Sequence, residues 1–118
     1  PSYRDDTALF RRATVAAPGA SRAWTGLSYA RRIVGDTRGA LDAARRAVAL
    51  APTEPWPRVT LAYAHVASDE TALALADLAR ANRLASGAPL RGYDRALRCA
   101  RAVGTARDSC VRGGAPLR

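Results

Sequence analysis

Apolar residues recur along this chain at spacings of three and four residues, which is the period of an amphipathic α-helix. In the clearest stretch they are Ala23, Leu27, Ala30 and Val34, followed by Ala40, Leu41, Ala44, Ala47, Val48 and Ala51. Gly35 and Asp36 interrupt the pattern between the two series, and Pro52 cannot extend the second one. The pattern therefore predicts two antiparallel helices joined by a short turn.

One eight-residue segment occurs three times at an interval of 34 residues. It reads RRATVAAP at 11–18, RRAVALAP at 45–52 and, in degraded form, ARANRLAS at 79–86. Such a period is typical of solenoids built from helix pairs. Residues 55–88 repeat the plan with Asp69 and Glu70 at the turn and apolar residues at Leu61, Ala62, Ala64, Ala74, Leu78, Ala81 and Leu84. We expect helices over 4–17, 21–34, 37–50, 55–67, 71–85, 90–103 and 106–112.

Composition also favours an all-α fold. Alanine supplies 28 of the 118 residues and phenylalanine only one, so the helices must approach one another over small side chains. Alanine is the strongest helix former, whereas the β-branched residues that favour strands are sparse. No run reaches the roughly 18 apolar residues that a membrane-spanning helix needs, and no signal-peptide pattern opens the chain.

Residues 21–54 resemble a tetratricopeptide repeat. The residues that carry the resemblance are Trp24, Leu27 and Ser28 in the first helix, Ala40 and Ala47 at the small positions of the second, and the closing Pro52. Arg31 and Ala44 replace two aromatic residues that the family usually has. The resemblance implies a right-handed solenoid of antiparallel helix pairs. The single domain, 1–118, would comprise a half repeat at 4–17, repeats at 21–54 and 55–88, and capping helices over 90–112.

Tetratricopeptide arrays bind peptides or helices of other proteins in a concave groove lined by their first helices. Carried onto this chain, the resemblance gives a lining of Arg22, Thr25, Tyr29, Arg32, Trp56, Val59, Thr60 and Tyr63. Tyr29 and Tyr63 are one period apart and off the apolar stripe, which is typical of binding anchors. The alternative is that Trp56 packs between Pro55, Pro57 and the adjacent helix, and that both tyrosines only cover the edges of the core. Both tyrosines stand where chaperone-binding members have Asn, so that specific activity is not expected.

The positive charge is concentrated near the C-terminus. The formal net charge is +9, and residues 80–118 contain nine arginines against two acidic residues. Arg91, Arg95, Arg98 and Arg101, which we call the basic face, are spaced along one side of a helix, opposite Tyr93, Leu97, Ala100 and Val103. This face is either a solvated surface or a site for phospholipid headgroups, acidic protein or nucleic acid. Nucleic acid is least favoured because exposed aromatic residues do not alternate with the arginines.

The two cysteines, Cys99 and Cys110, are equidistant from an expected turn at Gly104 and Thr105. In an antiparallel hairpin they would face each other, so a disulfide is expected, with two buried free thiols as the alternative. A disulfide would indicate an extracytoplasmic compartment. His65 has no further ligand at metal-binding spacing and is read as a structural residue. We expect no metal, no cofactor and no enzyme activity, because no nucleophile, paired carboxylates or phosphate-binding loop occurs.

The segment 4–17 matches only the second helix of a repeat. Leu9, Phe10 and Ala13 cannot all face residues 21–34, so some apolar surface should be bare. We expect it to pair with a second chain or with an upstream part of a longer parent protein. The opening YRDDTALFRRATVAAPGASRAW is similar to the segment that leads into the repeats of membrane-embedded glycosyltransferases with C-terminal tetratricopeptide arrays. This weaker resemblance implies the extracytoplasmic tail of a membrane protein, and a cytoplasmic adaptor is the alternative. The leading prediction is thus a non-catalytic protein-interaction module, and the alternative is an anion- or nucleic-acid-binding domain that acts through the basic face.

Overall fold

The computed structural model describes the backbone of residues 3–112 and the side chains of residues 7–112. This part of the chain is all-α, with seven helices and no strand. The helices are α1 (Tyr3–Ala16), α2 (Ser21–Ile33), α3 (Thr37–Leu50), α4 (Pro55–Ala67), α5 (Thr71–Ala85), α6 (Tyr93–Arg101) and α7 (Gly104–Val111). The predicted all-α class is confirmed, and so is the order of the helices.

The sixth helix is shorter than the predicted 90–103. Gly92, immediately before α6, has φ of +83°, a left-handed conformation that cannot be part of an α-helix. Ala102, immediately after it, is extended with ψ of 155°. Arg91 and Val103, which the sequence placed on the helix, therefore lie outside it.

The turns that follow α2 and α4 have the same geometry one repeat apart. Gly35 and Asp69 are both left-handed, with φ of +87° and +59°. Equivalent amides close the two turns: those of Gly35 and Asp36 donate to the carbonyls of Arg32 and Arg31, and those of Asp69 and Glu70 to the carbonyls of Val66 and His65. Glycine adopts this conformation freely, and aspartate is among the few other residues that tolerate it. The 34-residue period is therefore present in the backbone as well as in the sequence.

The helices pack in the order of the chain. α2 packs against α3 and α4 against α5, while α1 packs on α2 and α3 packs on α4. α2 also contacts α4, so the first helices of the two repeats lie beside each other. α6 packs on both α4 and α5, and α7 packs on α4 and α6. The C-terminal helices therefore pack on the second helix pair.

Alanine forms much of the contact surface between helices. Ala40 and Ala47 of α3 are fully buried, as are Ala74 and Ala81, their equivalents in α5. Ser28 of α2 is also buried, and its hydroxyl donates to the carbonyl of Ala40 at 2.7 Å. A side-chain hydroxyl can reach the backbone of the next helix only where the two helices approach closely. Larger residues at these positions would push the helices apart.

The apolar stripe of α2 ends one position earlier than predicted. Val34 is exposed because α2 ends at Ile33, and Ile33 is buried instead. Trp24 is half-buried, and its indole N–H donates to the carbonyl of Pro18 at 2.9 Å. The guanidinium of Arg46 lies over the same ring. Trp24 thus fixes the connection between α1 and α2 as well as filling volume.

Phe10 of α1 packs against α2. A Cβ placed on Gly26 would overlap the Phe10 ring, so the ring rests directly against the backbone of α2. Leu9 and Val15 are left outside the core, with 54% and 78% of their surface exposed. Bare apolar surface was expected on this helix and is present. Its pairing with a second chain stays a prediction.

A buried polar pair joins α4 to α5. Nδ1 of His65 lies 2.5 Å from Oδ2 of Asp77, and both residues are buried. Burial raises the pKa of Asp77, while the hydrogen bond to His65 and the charge of Arg58 oppose that shift. His65 is therefore a structural histidine with a specific partner. The sequence shows one sign of this pair, since Asp77 stands among the buried Ala74, Leu78 and Ala81 of α5, where a carboxylate needs a donor.

We expect Gly26→Ala to lower the free energy of unfolding by about 1–3 kcal/mol, because the new methyl group overlaps the Phe10 ring. Gly19→Ala is the matched control, since nothing lies near a Cβ at that position. Urea denaturation of both variants measures the difference. Adding Phe10→Ala should reduce the effect of Gly26→Ala, and an equal effect in the presence and absence of the ring would contradict the proposed contact.

We expect Asp77→Ala to lower the free energy of unfolding by about 1–3 kcal/mol, because it leaves a buried nitrogen of His65 without its partner. Asp77→Asn keeps an acceptor oxygen and should be less destabilising. A double variant, His65→Leu with Asp77→Leu, should be less destabilised than the sum of the two single changes. Additive effects in denaturation experiments would show that the pair is not coupled.

Candidate binding site

A cavity of about 400 Å³ lies where α2, α4 and the C-terminal helices meet. Its residues come from all three parts of the chain: Thr25, Tyr29 and Arg32 of α2, Thr60 and Tyr63 of α4, and Arg91, Gly92, Arg95 and Cys110 of the C-terminal segment. Five of the eight residues predicted to line a groove are brought together here. Two members of the basic face join them, so the two candidate surfaces of the sequence meet in one site.

The other three predicted groove residues do not line this cavity. Val59 is buried in the core of the second repeat, on the side of α4 that faces Gly92. The guanidinium of Arg22 lies over the ring of Trp56, 5.3 Å from its centre. This stack joins the first turns of α2 and α4, beyond the cavity. Trp56 thus contacts the equivalent helix of the preceding repeat.

Arg32 is the most buried charged side chain of the site, with 7% of its surface exposed. Its Nη1 donates to the carbonyl of Val111 at 2.7 Å and to that of Cys110 at 3.3 Å. Its guanidinium also lies over the rings of Tyr63 and Tyr29, at 4.6 and 5.4 Å from their centres. The sequence placed Arg32 on an open groove, whereas the structure uses it to hold the end of α7.

The charge of Arg32 interacts favourably with the C-terminal end of α7. The last carbonyls of a helix carry partial negative charge, so a cation there is stabilising. Burial lowers the pKa of Arg32, and the neighbouring tyrosines Tyr63 and Tyr29 oppose that change. An arginine side chain stays protonated in proteins, so Arg32 adds a fixed positive charge to the wall of the cavity.

The two tyrosines differ in their surroundings. Tyr63 is half-buried and packs against the core, and burial raises the pKa of its phenol despite the charges of Arg95, Arg32 and Arg98. It therefore stays neutral and can donate a hydrogen bond. Tyr29 is 46% exposed, so it forms the rim of the cavity and its hydroxyl can reach a ligand from solvent.

The basic face is divided between the cavity and solvent. Arg91 lies before α6, and Arg95 lies in its first turn; both line the cavity. Arg98 and Arg101 are exposed farther along α6. The division therefore falls within α6, between Arg95 and Arg98, whereas the left-handed Gly92 separates Arg91 from the helix.

Cys99 and Cys110 form a disulfide between α6 and α7, with 5.7 Å between their Cα atoms. Both are buried, and the predicted pairing is present. The connection that they enclose lies at 102–103, just before the predicted turn at Gly104 and Thr105. The bond therefore holds α7 against α6 close to the carbonyls that Arg32 contacts.

Arg107 is a second attachment of α7 that sequence reasoning missed. It bridges to the turn after α4, where Nη1 lies 3.0 Å from Oδ1 of Asp69 and Nη2 donates to the hydroxyl of Thr71 at 2.7 Å. It also donates to the carbonyls of Ala100 and Ala102. No local sequence pattern predicts these contacts, because Arg107 and Asp69 are 38 residues apart.

The polar side chains that line the cavity are of two kinds. Among the described residues that line the cavity, the charged groups are arginines, and the other polar groups are hydroxyls. Within the described side chains, no cluster of His, Cys, Asp and Glu could hold a metal ion. No helix in residues 3–112 is long and apolar enough to cross a bilayer.

No protein-family model, curated protein or solved structure matches this chain. The role of the cavity must therefore be inferred from its own residues and from the repeat that positions them.

We expect Cys99→Ala with Cys110→Ala to lower the free energy of unfolding by about 2–3 kcal/mol, because the disulfide closes a loop of 11 residues. α7 should also detach more often from α2 and α4. Hydrogen exchange measures this as faster exchange of the amides in α7, with little change in α2 and α3. Wild-type protein under reducing conditions should behave like the double variant. Full protection of α7 in both samples would show that the disulfide does not hold it.

Proposed function

We propose that this chain is a non-catalytic interaction module of the tetratricopeptide type, which binds a peptide or helix of another protein along the face shared by α2 and α4. The repeated turns at Gly35 and Asp69 support a solenoid, as do the buried alanines one period apart. The side-by-side placement of α2 and α4 gives such an array its inner face.

The observation that carries the proposal is the convergence of Tyr29 and Tyr63. They stand 34 residues apart in equivalent helices, and both reach one cavity, where they flank the guanidinium of Arg32. If the two tyrosines only covered the edges of the core, they would not need to line the same cavity. An amphipathic aromatic residue on a rim is suited to anchor a partner, because it buries a large area with little loss of side-chain entropy.

The C-terminal helices restrict where a partner can lie. The end of α7 is held at Arg32, and Arg112 lies beside Gly35, so the last turn of α2 is covered. The face remains accessible from the earlier turns of α2, where Thr25 and Tyr29 lie. A bound segment would therefore approach from this side and end near Tyr63.

The alternative is an anion- or nucleic-acid-binding domain that acts through Arg91, Arg95, Arg98 and Arg101. Duplex and single-stranded nucleic acids need a charged surface that extends along several phosphates. Here the four arginines are divided between the cavity and solvent. This division favours a local anionic group over an extended nucleic acid.

The proposal is tested by selecting random linear peptides on immobilised wild-type protein and measuring the affinity of the enriched sequences in solution. We expect Tyr29→Ala to weaken binding about tenfold or more, as for a typical interface anchor. Leu73→Ala is the matched control, because Leu73 of α5 is similarly exposed at 47% and lies outside the cavity. If no linear peptide binds, or if Tyr29→Ala binds as tightly as wild type, the proposal is wrong.

A further inference from the structure

α7 covers equivalent positions of the two first helices. Arg32 of α2 and Val66 of α4 are one 34-residue period apart, and both are buried. The guanidinium of Arg32 donates to the carbonyls at the end of α7, and Val66 belongs to the same buried cluster as Cys110 of α7. α7 therefore lies across α2 and α4, on the face that the proposed function assigns to a partner.

The two ends of α7 reach the equivalent turns of the two repeats. In its first half, Arg107 contacts Asp69 and Thr71 in the turn after α4. Directly after its last residue, the guanidinium of Arg112 lies beside Gly35 in the turn after α2, 3.4 Å from where a Cβ would stand. α7 thus contacts both repeats, as the proposed function requires of a bound segment.

Little apolar contact holds α7 in this position. Of its eight residues, only Cys110 is buried. Ala102 and Val103, which join α7 to α6, have extended ψ angles of 155° and 160°, so α7 does not continue the preceding helix. A helix of this length does not form by itself in water. The disulfide to Cys99 is therefore important for its position, because α6 is itself packed on α4 and α5.

We propose that α7 is a removable cover of the inner face and that the oxidation state of Cys99 and Cys110 controls it. The inference rests on the proposed function, because it concerns access to the face that α2 and α4 share. In the disulfide form, α7 occupies that face at Arg32 and Val66. After reduction α7 detaches, and a partner segment extends over both positions to the turns that follow α2 and α4.

The reductant is a dithiol, which reacts by thiol–disulfide exchange. One thiolate of the dithiol attacks a sulfur of the disulfide, and the bond between Cys99 and Cys110 breaks. The second thiolate then displaces the protein from the mixed disulfide. Two electrons and two protons thereby pass to the protein, which leaves with two thiols, while the reductant leaves as a disulfide. Both cysteines are buried, so the attack requires a transient opening between α6 and α7.

The size of the effect depends on the fraction of molecules in which the face is uncovered. A partner that needs the uncovered face binds with an apparent affinity that is reduced in proportion to this fraction. If reduction raises the fraction from about one tenth to nearly all molecules, binding becomes about tenfold tighter.

The test selects cysteine-free random linear peptides on the variant Cys99→Ala with Cys110→Ala, in which no disulfide can form. The affinity of the enriched peptides is then measured on wild-type protein, oxidised and after reduction with dithiothreitol. Reduced wild type should bind them at least about tenfold more tightly than oxidised wild type. The control is the double variant itself, whose affinity should not change with dithiothreitol. Circular dichroism checks that the variant and the reduced protein remain folded.

A second variant tests the cover without any change at the cysteines. In oxidised protein, Arg107→Gln removes an attachment of α7 outside the cavity. It should tighten binding of the same peptides about two- to fivefold, the range for loss of a partly exposed ion pair. Arg101→Gln is the matched control, because it removes the same charge from an exposed position at the end of α6. Equal tightening by both variants would indicate an effect of net charge and would overturn the inference.

The remaining outcomes separate the inference from the proposed function. Equal binding by oxidised and reduced wild type, with Tyr29 still required, would leave the function standing and overturn the inference. Tighter binding by the oxidised form would show that α7 completes the site, which also overturns it. Binding that depends on reduction but not on Tyr29 would support the cover and reject Tyr29 as the anchor. If no peptide binds either form, the function and the inference both fail.

Discussion

Close contact between helices over alanine is the constraint on which this structure depends. A chain with 28 alanines and one phenylalanine cannot fill wide gaps between its elements, so its helices must pack nearly backbone to backbone. The hydroxyl of Ser28 on the carbonyl of Ala40 shows how close they come. Larger side chains fill the space that the alanines leave free. Phe10 packs against Gly26, and Leu27 and Leu78 are fully buried. Tyr29 and Tyr63 lie outside these contacts over alanine and line the cavity on either side of Arg32.

Arginine side chains hold the C-terminal helix α7 in place, where alanine contacts alone are too small. α7 has only eight residues, and a helix that short is not stable by itself in water. It is held by Arg32 at its last carbonyls, by its own Arg107 at the turn after α4, and by the disulfide. Each attachment uses a directional bond and little apolar area. The cavity lies in the same region, because Arg32, which holds the end of α7, also lines it.

Local order could be predicted from the sequence because it has local causes. The helices follow from apolar spacing, and the turns follow from Gly35 and Asp69, which recur with the 34-residue period. The pairing of Cys99 with Cys110 could be predicted for the same reason, because the two residues lie on either side of one short turn. Errors occur at helix ends, where a single residue such as Gly92 changes which side chains share a surface.

The composition of the cavity could not be predicted in this way. Arg32 contacts the carbonyl of Val111, 79 residues later, and nothing in the spacing of either residue indicates that contact. The partner of His65 is hidden for a related reason: Asp77 stands 12 residues later, on the buried side of the next helix, and no spacing rule connects the two residues. Periodicity shows which side of a helix is buried. It does not show which distant segment covers the remainder.

The two ends of the described helices are not equivalent. α6 packs on α4 and α5, and α7 packs on α4 and α6, so the second helix pair is covered by the C-terminal helices. At the opposite end, α1 leaves Leu9 and Val15 uncovered. The cavity depends on that difference. An insertion before α6 would separate Arg91 and Arg95 from the tyrosines, whereas an insertion before α1 would touch no residue that lines the cavity.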